Sequence, residues 1–126
     1  MELLSTLTKS RADRLYQPLD DIFRRDLNDN DIEVIVIGDA STVRKVVVSY
    51  SFELPISNRS QSGELTITQD SSGVDLSHEY SFLDPEIDSV VFDVDVTGGD
   101  IRLLIACTNI GENPVFQYRR ASIPIA

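Results

Sequence analysis

After residue 31 the chain is dominated by alternating apolar and polar positions, and these place most of its elements. Between Val43 and Leu54, the residues Val46, Val48, Tyr50, Phe52 and Leu54 fall on one side of an extended backbone. Ser49, Ser51 and Glu53 fall on the other, which is the two-residue period of a half-buried strand. Pro55 ends the run. Further strands are predicted at 32–37, at 64–69 with Leu65 and Ile67 inward, at 74–82 and at 115–121. Turn residues separate them at 38–39, 70–73, 84–85 and 109–114, and 57–63 reads as a polar loop.

The strongest local pattern is SVVFDVDVTGGDIRLLIACT, residues 89–108. Two alternating runs flank Gly98-Gly99, and two glycines suit a tight hairpin turn whose central residues both need positive φ. With those two as the loop, Thr97 faces Asp100, Val96 faces Ile101, Asp95 faces Arg102, Val94 faces Leu103 and Phe92 faces Ile105. Apolar meets apolar and acid meets base, except that Asp93 faces Leu104. A one-residue slip would break the matched pairs together.

Residues 1–28 follow a different period. Leu15, Leu19, Ile22, Phe23 and Leu27 recur at i, i+4, i+7, i+8 and i+12, an amphipathic helical stripe. Pro18 suits a first helical turn and breaks a helix running through it, so two helical pieces are predicted, about 2–15 and 18–27. The turn cluster 28–31 closes this part. The expected organisation is an N-terminal helical docking segment, residues 1–30, and a mainly β domain, residues 31–126. That domain is expected to be an antiparallel β-sandwich, jelly-roll-like, of about seven strands.

Charge and composition narrow the function. The net charge of −10 argues against a nucleic-acid partner, which needs a basic surface. No run approaches the roughly 18 apolar residues of a membrane span. The N-terminus has an acid at position 2 and no long apolar core, a poor signal peptide. The expectation is a chain made in a cytoplasm, with no membrane partner. The single cysteine, Cys107, rules out an internal disulfide and shares a strand face with Leu103 and Ile105, as a core residue does.

Candidate chemistry is sparse. His78 alternates with Tyr80 and Phe82 and reads as a structural or surface histidine. The acidic cluster 26–33 offers oxygens that calcium favours, but starting a loop at Asp26 puts Asp31 where glycine is needed and Ile37 where a bidentate glutamate belongs. It reads as a polar loop. Asp93 and Asp95 share a strand face. Paired carboxylates hydrolyse glycosides at separations of about 5 to 9.5 Å, yet a half-solvated strand with Asp95 opposite Arg102 explains them more simply. Phe116 and Tyr118 read as core, with Arg120 near its rim. No catalytic residue, metal ligand or cofactor is assigned.

The segment FDVDVTGGDIRLLIACTNIGENPVFQYRR resembles the C-terminal half of a β-sandwich module of tailed-bacteriophage virion proteins, of tail-fibre or capsid-surface type. Its F-x-V-x-V strand falls on Phe92, Val94 and Val96. The glycine turn is Gly98-Gly99, and the I-R-L-L strand is 101–104. The T-N-x-G loop is 108–111, and the aromatic and basic last strand is 116–120. VRKVVVSYSFEL and GELTIT are similar to its earlier strands.

The resemblance implies a non-enzymatic structural protein of the virion, made in the host cytoplasm. It implies no cofactor, partners among capsid, neck or tail proteins, and a homo-oligomer; a capsid decoration or a neck or tail accessory protein fits the short chain. Leu15, Leu19, Ile22, Phe23 and Leu27 would be the partner-docking stripe, or would cap the chain's own sandwich. The alternatives are a carbohydrate- or receptor-binding module using loops 57–63 and 109–114, and a small hydrolase using His78 or the two aspartates.

Overall fold

The computed structural model of the chain describes residues 22–82, 87 and 89–125. They form eight strands: β1 (Phe23–Asp26), β2 (Ile32–Asp39), β3 (Val43–Leu54), β4 (Arg59–Asp70), β5 (Gly73–Phe82), β6 (Val90–Thr97), β7 (Asp100–Cys107) and β8 (Val115–Pro124). All pairings are antiparallel, in a five-stranded sheet ordered β1-β8-β3-β4-β5 and a three-stranded sheet ordered β2-β7-β6. The mainly β expectation holds. The strands divide five and three because β4 and β5 continue the meander from β3, where an even jelly roll would send them to the second sheet.

The inner faces supply the core. Val46, Val48, Phe52 and Leu54 of β3, Leu65 and Ile67 of β4, and Phe116 of β8 are buried from the first sheet. Ile35 and Ile37 of β2 and Ile101, Leu103, Ile105 and Cys107 of β7 are buried from the second. The 89–108 hairpin has the register its sequence predicts, Thr97 opposite Asp100 through Phe92 opposite Ile105. Gly98 and Gly99 both take positive φ, 61° and 86°.

Two expectations change. Within the helix predicted for 18–27, Phe23–Asp26 is instead a strand, laid along β8 with Phe23 opposite Tyr118. A spacing of four residues also fits a short edge strand followed by an inward turn, and Leu27 makes that turn into the core. The helical reading of 2–15, with Leu15 and Leu19, lies outside the described residues. The second change is at 59–63, predicted as loop. These residues open β4, because β3 pairs with all of them and β5 pairs with 61–63 from the other side.

Cys107 is core, as its hairpin position implies, and burial pushes its thiol up to about 11. Only the thiolate reacts. Iodoacetamide at pH 8 will therefore leave the folded protein unmodified and label it once urea unfolds the chain. Labelling of the folded form at the rate of a free thiol would contradict this packing.

The two long edges of the sandwich differ. Along β1 and β2 the sheets are stitched together: Arg25 pairs with Glu33 at 2.6 Å, and Arg120 donates to the Val36 carbonyl at 3.0 Å. The β5–β6 edge carries a cavity instead.

The two ends differ as well. At one end, carboxylates tie loops far apart in sequence. Asp29 accepts from the backbone N–H groups of Asn30, Ile110 and Gly111 at 2.8–2.9 Å. Glu112 accepts from the N–H groups of Ile56 and Ser57 and from the Ser57 hydroxyl. These bonds hold both carboxyls below the usual carboxylate range; the largest contributions come from the Ile110 N–H for Asp29 and the Ser57 hydroxyl for Glu112. At the other end Asp39 and Asp70 each cap only their own turn, through Ser41 and Ser72. The loops there join through backbone, Ala40 N–H to the Gly99 carbonyl.

Candidate functional site

Three surfaces carry the chemistry of the described residues. The first is a polar cluster inside the sandwich. On the inner face of the five-stranded sheet, Tyr50 stands opposite Gly63, and Gly63 stands opposite Tyr80. A Cβ at Gly63 would lie 2.5 Å from the Glu79 carbonyl oxygen and 3.0 Å from the Tyr50 hydroxyl. Glycine thus leaves the space in which the Tyr50 hydroxyl sits. That hydroxyl is 2.6 Å from His78 Nε2 and accepts from Gln61 Nε2 at 2.9 Å. A buried O–H needs an acceptor, so Tyr50 donates to Nε2, which assigns the proton of a neutral His78 to Nδ1.

Phe92, from the facing sheet, packs against Tyr50 and His78, both with ring centroids 5.1 Å away. A cavity of about 300 Å³ opens beside the cluster at the β5–β6 edge, lined by Gln61, His78, Tyr80, Ile87, Val90 and Phe92 among others. Gln61 is buried, and its Oε1 has no partner among the described residues.

Burial holds His78 below its ordinary value near 6.5. A base whose folded value is depressed binds its proton more readily when unfolded. Its stabilising contribution is complete above about 6.5 and falls as the pH drops below that. Urea midpoints will therefore decline from pH 7.5 to 5.5, above the range where carboxylates titrate. His78→Gln will flatten that decline; an unchanged decline in the variant would remove His78 as its source.

The second surface is the outer face of the five-stranded sheet, an open trough of about 1140 Å³. One cross-strand row reads Arg119, Ser49, Glu64, Glu79 and the next Gln117, Ser51, Ser62, Ser81. Glu64 and Glu79 stand directly opposite each other, an unfavourable like-charge pair in an uncovered sheet.

The third is the outer face of the three-stranded sheet. Ile32, Val34 and Val36 on β2 are 57%, 40% and 48% exposed, and Val91 on β6 is 61% exposed. Leu104 and Ala106 of β7 lie between them, half-buried. This apolar band crosses all three strands. Beside it Asp95 and Arg102 make a two-point pair, both contacts 2.7 Å. Asp93 accepts from the Val94 N–H and has no cation beside it among the described residues.

The predicted site residues are dispersed by this geometry. Ile22 and Phe23 are partly exposed, Phe23 stacking on Tyr118 at 5.2 Å with the Arg120 guanidinium over its ring. Leu27 is buried in the core. Leu15 and Leu19 lie outside the described residues. His78 faces the interior of one sheet, while Asp93 and Asp95 face outward from the other, so these groups do not meet. Loops 57–63 and 109–114 are occupied by the Glu112 and Asp29 ties or by β4. The acidic cluster contains the Asp29 tie, which spends that carboxylate on backbone N–H groups.

Gln61 and the apolar outer band went unassigned in the sequence. The band has a visible signal: residues 32–37 are apolar at both parities, and Leu104 breaks the alternation of β7.

No protein-family model matches the chain, and no curated protein matches it. Among solved structures, the tailspike protein of the Acinetobacter phage vB_ApiP_P1 is similar in fold, with a TM-score of 0.52 over 81% of this chain at 9% identity. The chain spans 21% of the length of that protein.

Proposed function

We propose that this chain is a non-enzymatic structural component of a bacteriophage particle, associated with its tail, that works by assembly with other virion proteins. The fold likeness to part of a tailspike carries this reading. The apolar outer band supports it, since contiguous exposed apolar surface marks a protein interaction site. The dispersal of His78, Asp93 and Asp95 supports a role without catalysis. Among the described residues no helix is long and apolar enough to cross a membrane. Mass spectrometry of purified tailed-phage particles that encode the chain will find it as a stoichiometric component. Its absence from particles whose lysate contains it would overturn the proposal.

A second reading, a receptor- or carbohydrate-binding module, is favoured by the trough. Its serine hydroxyls, Gln117, Arg119 and the two opposed glutamates offer donors and acceptors on one open face. A glycan array without hits would count against it. An Arg119→Ala variant that kept every hit would exclude the trough as the site.

A further inference from the structure

The cavity at the β5–β6 edge takes no part in an assembly role, yet its wall combines features that suit a ligand. We propose that it binds a small uncharged aromatic molecule carrying an O–H or N–H donor, a phenol in the simplest case, with its ring among His78, Tyr80 and Phe92 and its donor serving Gln61 Oε1.

Access comes first. β5 and β6 are each the last strand of their sheet, so no further strand of either sheet closes the edge where the cavity opens. Size comes next. A dry cavity of about 150 Å³ takes benzene. This one, at about 300 Å³, has room for a substituted ring.

The wall then selects the chemistry. Three rings meet there: His78 stacks on Tyr80 at 4.7 Å, and Phe92 stands edge-on to His78 at 5.1 Å. Aromatic rings gain from further stacked or edge-to-face contacts beyond the area they bury. Val90 adds an aliphatic side. Among the described residues no Asp, Glu, Lys or Arg lines the cavity, so a charge brought in would lose its water and meet no counter-charge.

The polar part of the wall calls for a donor. Gln61 is 3% exposed and spends its Nε2 on the Tyr50 hydroxyl, while its Oε1 has no partner among the described residues. A buried acceptor left unpaired is costly, and a ligand O–H or N–H relieves it. Water is the competing occupant. At roughly 30 Å³ each, about ten waters would fill such a volume. They could bond Gln61, but they gain nothing from Phe92 and Val90, whereas one ring with one donor suits both parts of the wall.

Titrating the full-length ¹⁵N-labelled chain with phenol tests this. The amide signals of Gln61, His78, Val90 and Phe92 will shift and saturate, while those of Ser49, Glu64 and Arg119 in the trough and Val34 and Leu104 on the apolar band will not. Toluene, of nearly the same size but without the donor, will bind about tenfold more weakly, the worth of one hydrogen bond. Gln61→Met, which keeps the bulk and removes the acceptor, will abolish that difference in a spectrum that is still dispersed. Val90→Phe, which fills the space, will abolish binding of both probes in the folded variant; if it does not fold, the phenol and toluene comparison in the parent and in Gln61→Met decides. No saturable shift with phenol, which would mean water only, would overturn the proposal. So would shifts centred on the trough, benzoate binding as tightly as phenol, or a phenol preference that survives Gln61→Met. None of these outcomes depends on finding the chain in a virion, so this proposal and the functional one fail separately.

Discussion

Replacing Phe52 with alanine will cost about 3–5 kcal/mol, the usual range for emptying a large aromatic from a core. Phe52 is fully buried at the middle of the five-stranded sheet, directly opposite Phe116 on β8 and Gln61 on β4. Its neighbours are held by strand pairing on both sides, so they cannot collapse into the space, and the cavity persists. A domain of this size has a total stability of about 5–15 kcal/mol, so the variant will be near the edge of folding at 37 °C. Urea unfolding at 20 °C checks it: the midpoint will fall sharply while the slope stays constant. Ile123→Ala, at a half-exposed position near the end of β8, will change stability by no more than about 0.5 kcal/mol. Equal losses in both variants would refute the core described for this sandwich.

Gly63→Ala will destabilise by about 1–3 kcal/mol, although alanine ordinarily stabilises relative to glycine. The added Cβ would meet the Glu79 carbonyl oxygen at 2.5 Å and the Tyr80 Cβ at 2.8 Å, both on the neighbouring strand. Backbone cannot yield as a flexible side-chain tip does, so β5 must move away from β4. The Tyr50 hydroxyl, 3.0 Å from that Cβ, is displaced as well. The second readout is local: the His78 ring protons will titrate closer to the ordinary histidine value, because a loosened β5 admits water. A variant as stable as the parent, with His78 unchanged, would show that the strands are not packed this closely.

Much of the fold is legible in the sequence because its longest strands have one wet face and one dry one. In β3 the alternation from Val46 to Leu54 is complete, and in the 89–108 hairpin both the turn glycines and the matched pairs agree on one register. What failed to show was set by neighbours distant in sequence. Phe23–Asp26 has no strand signal of its own, and it is a strand because β8 presents an edge to it. Residues 59–63 carry no apolar alternation, yet β3 pairs with all of them and β5 with 61–63, and Gln61 turns inward to a tyrosine 11 positions away. Candidate sites were harder still. His78 gains its partner from β3 and its aromatic wall from β6, and no local spacing records either.

The unequal ends of the sandwich give the molecule an acid response with a direction. Asp29 and Glu112 have depressed values, so their ties are complete above the ordinary carboxylate range and are lost as the pH falls through those values. Protonation there removes the charged ties among three loops and leaves only neutral links, such as the Leu27 N–H to the Pro114 carbonyl and the Asn109 N–H to the Asn30 side chain. At the opposite end Asp39 and Asp70 titrate in the same sense, but each releases only its own turn, while Ala40 and Gly99 stay joined by a bond that has no proton to gain. Acid therefore thins the links between loops at one end of the sandwich, while the tip bearing the 89–108 hairpin turn keeps the link between its loops.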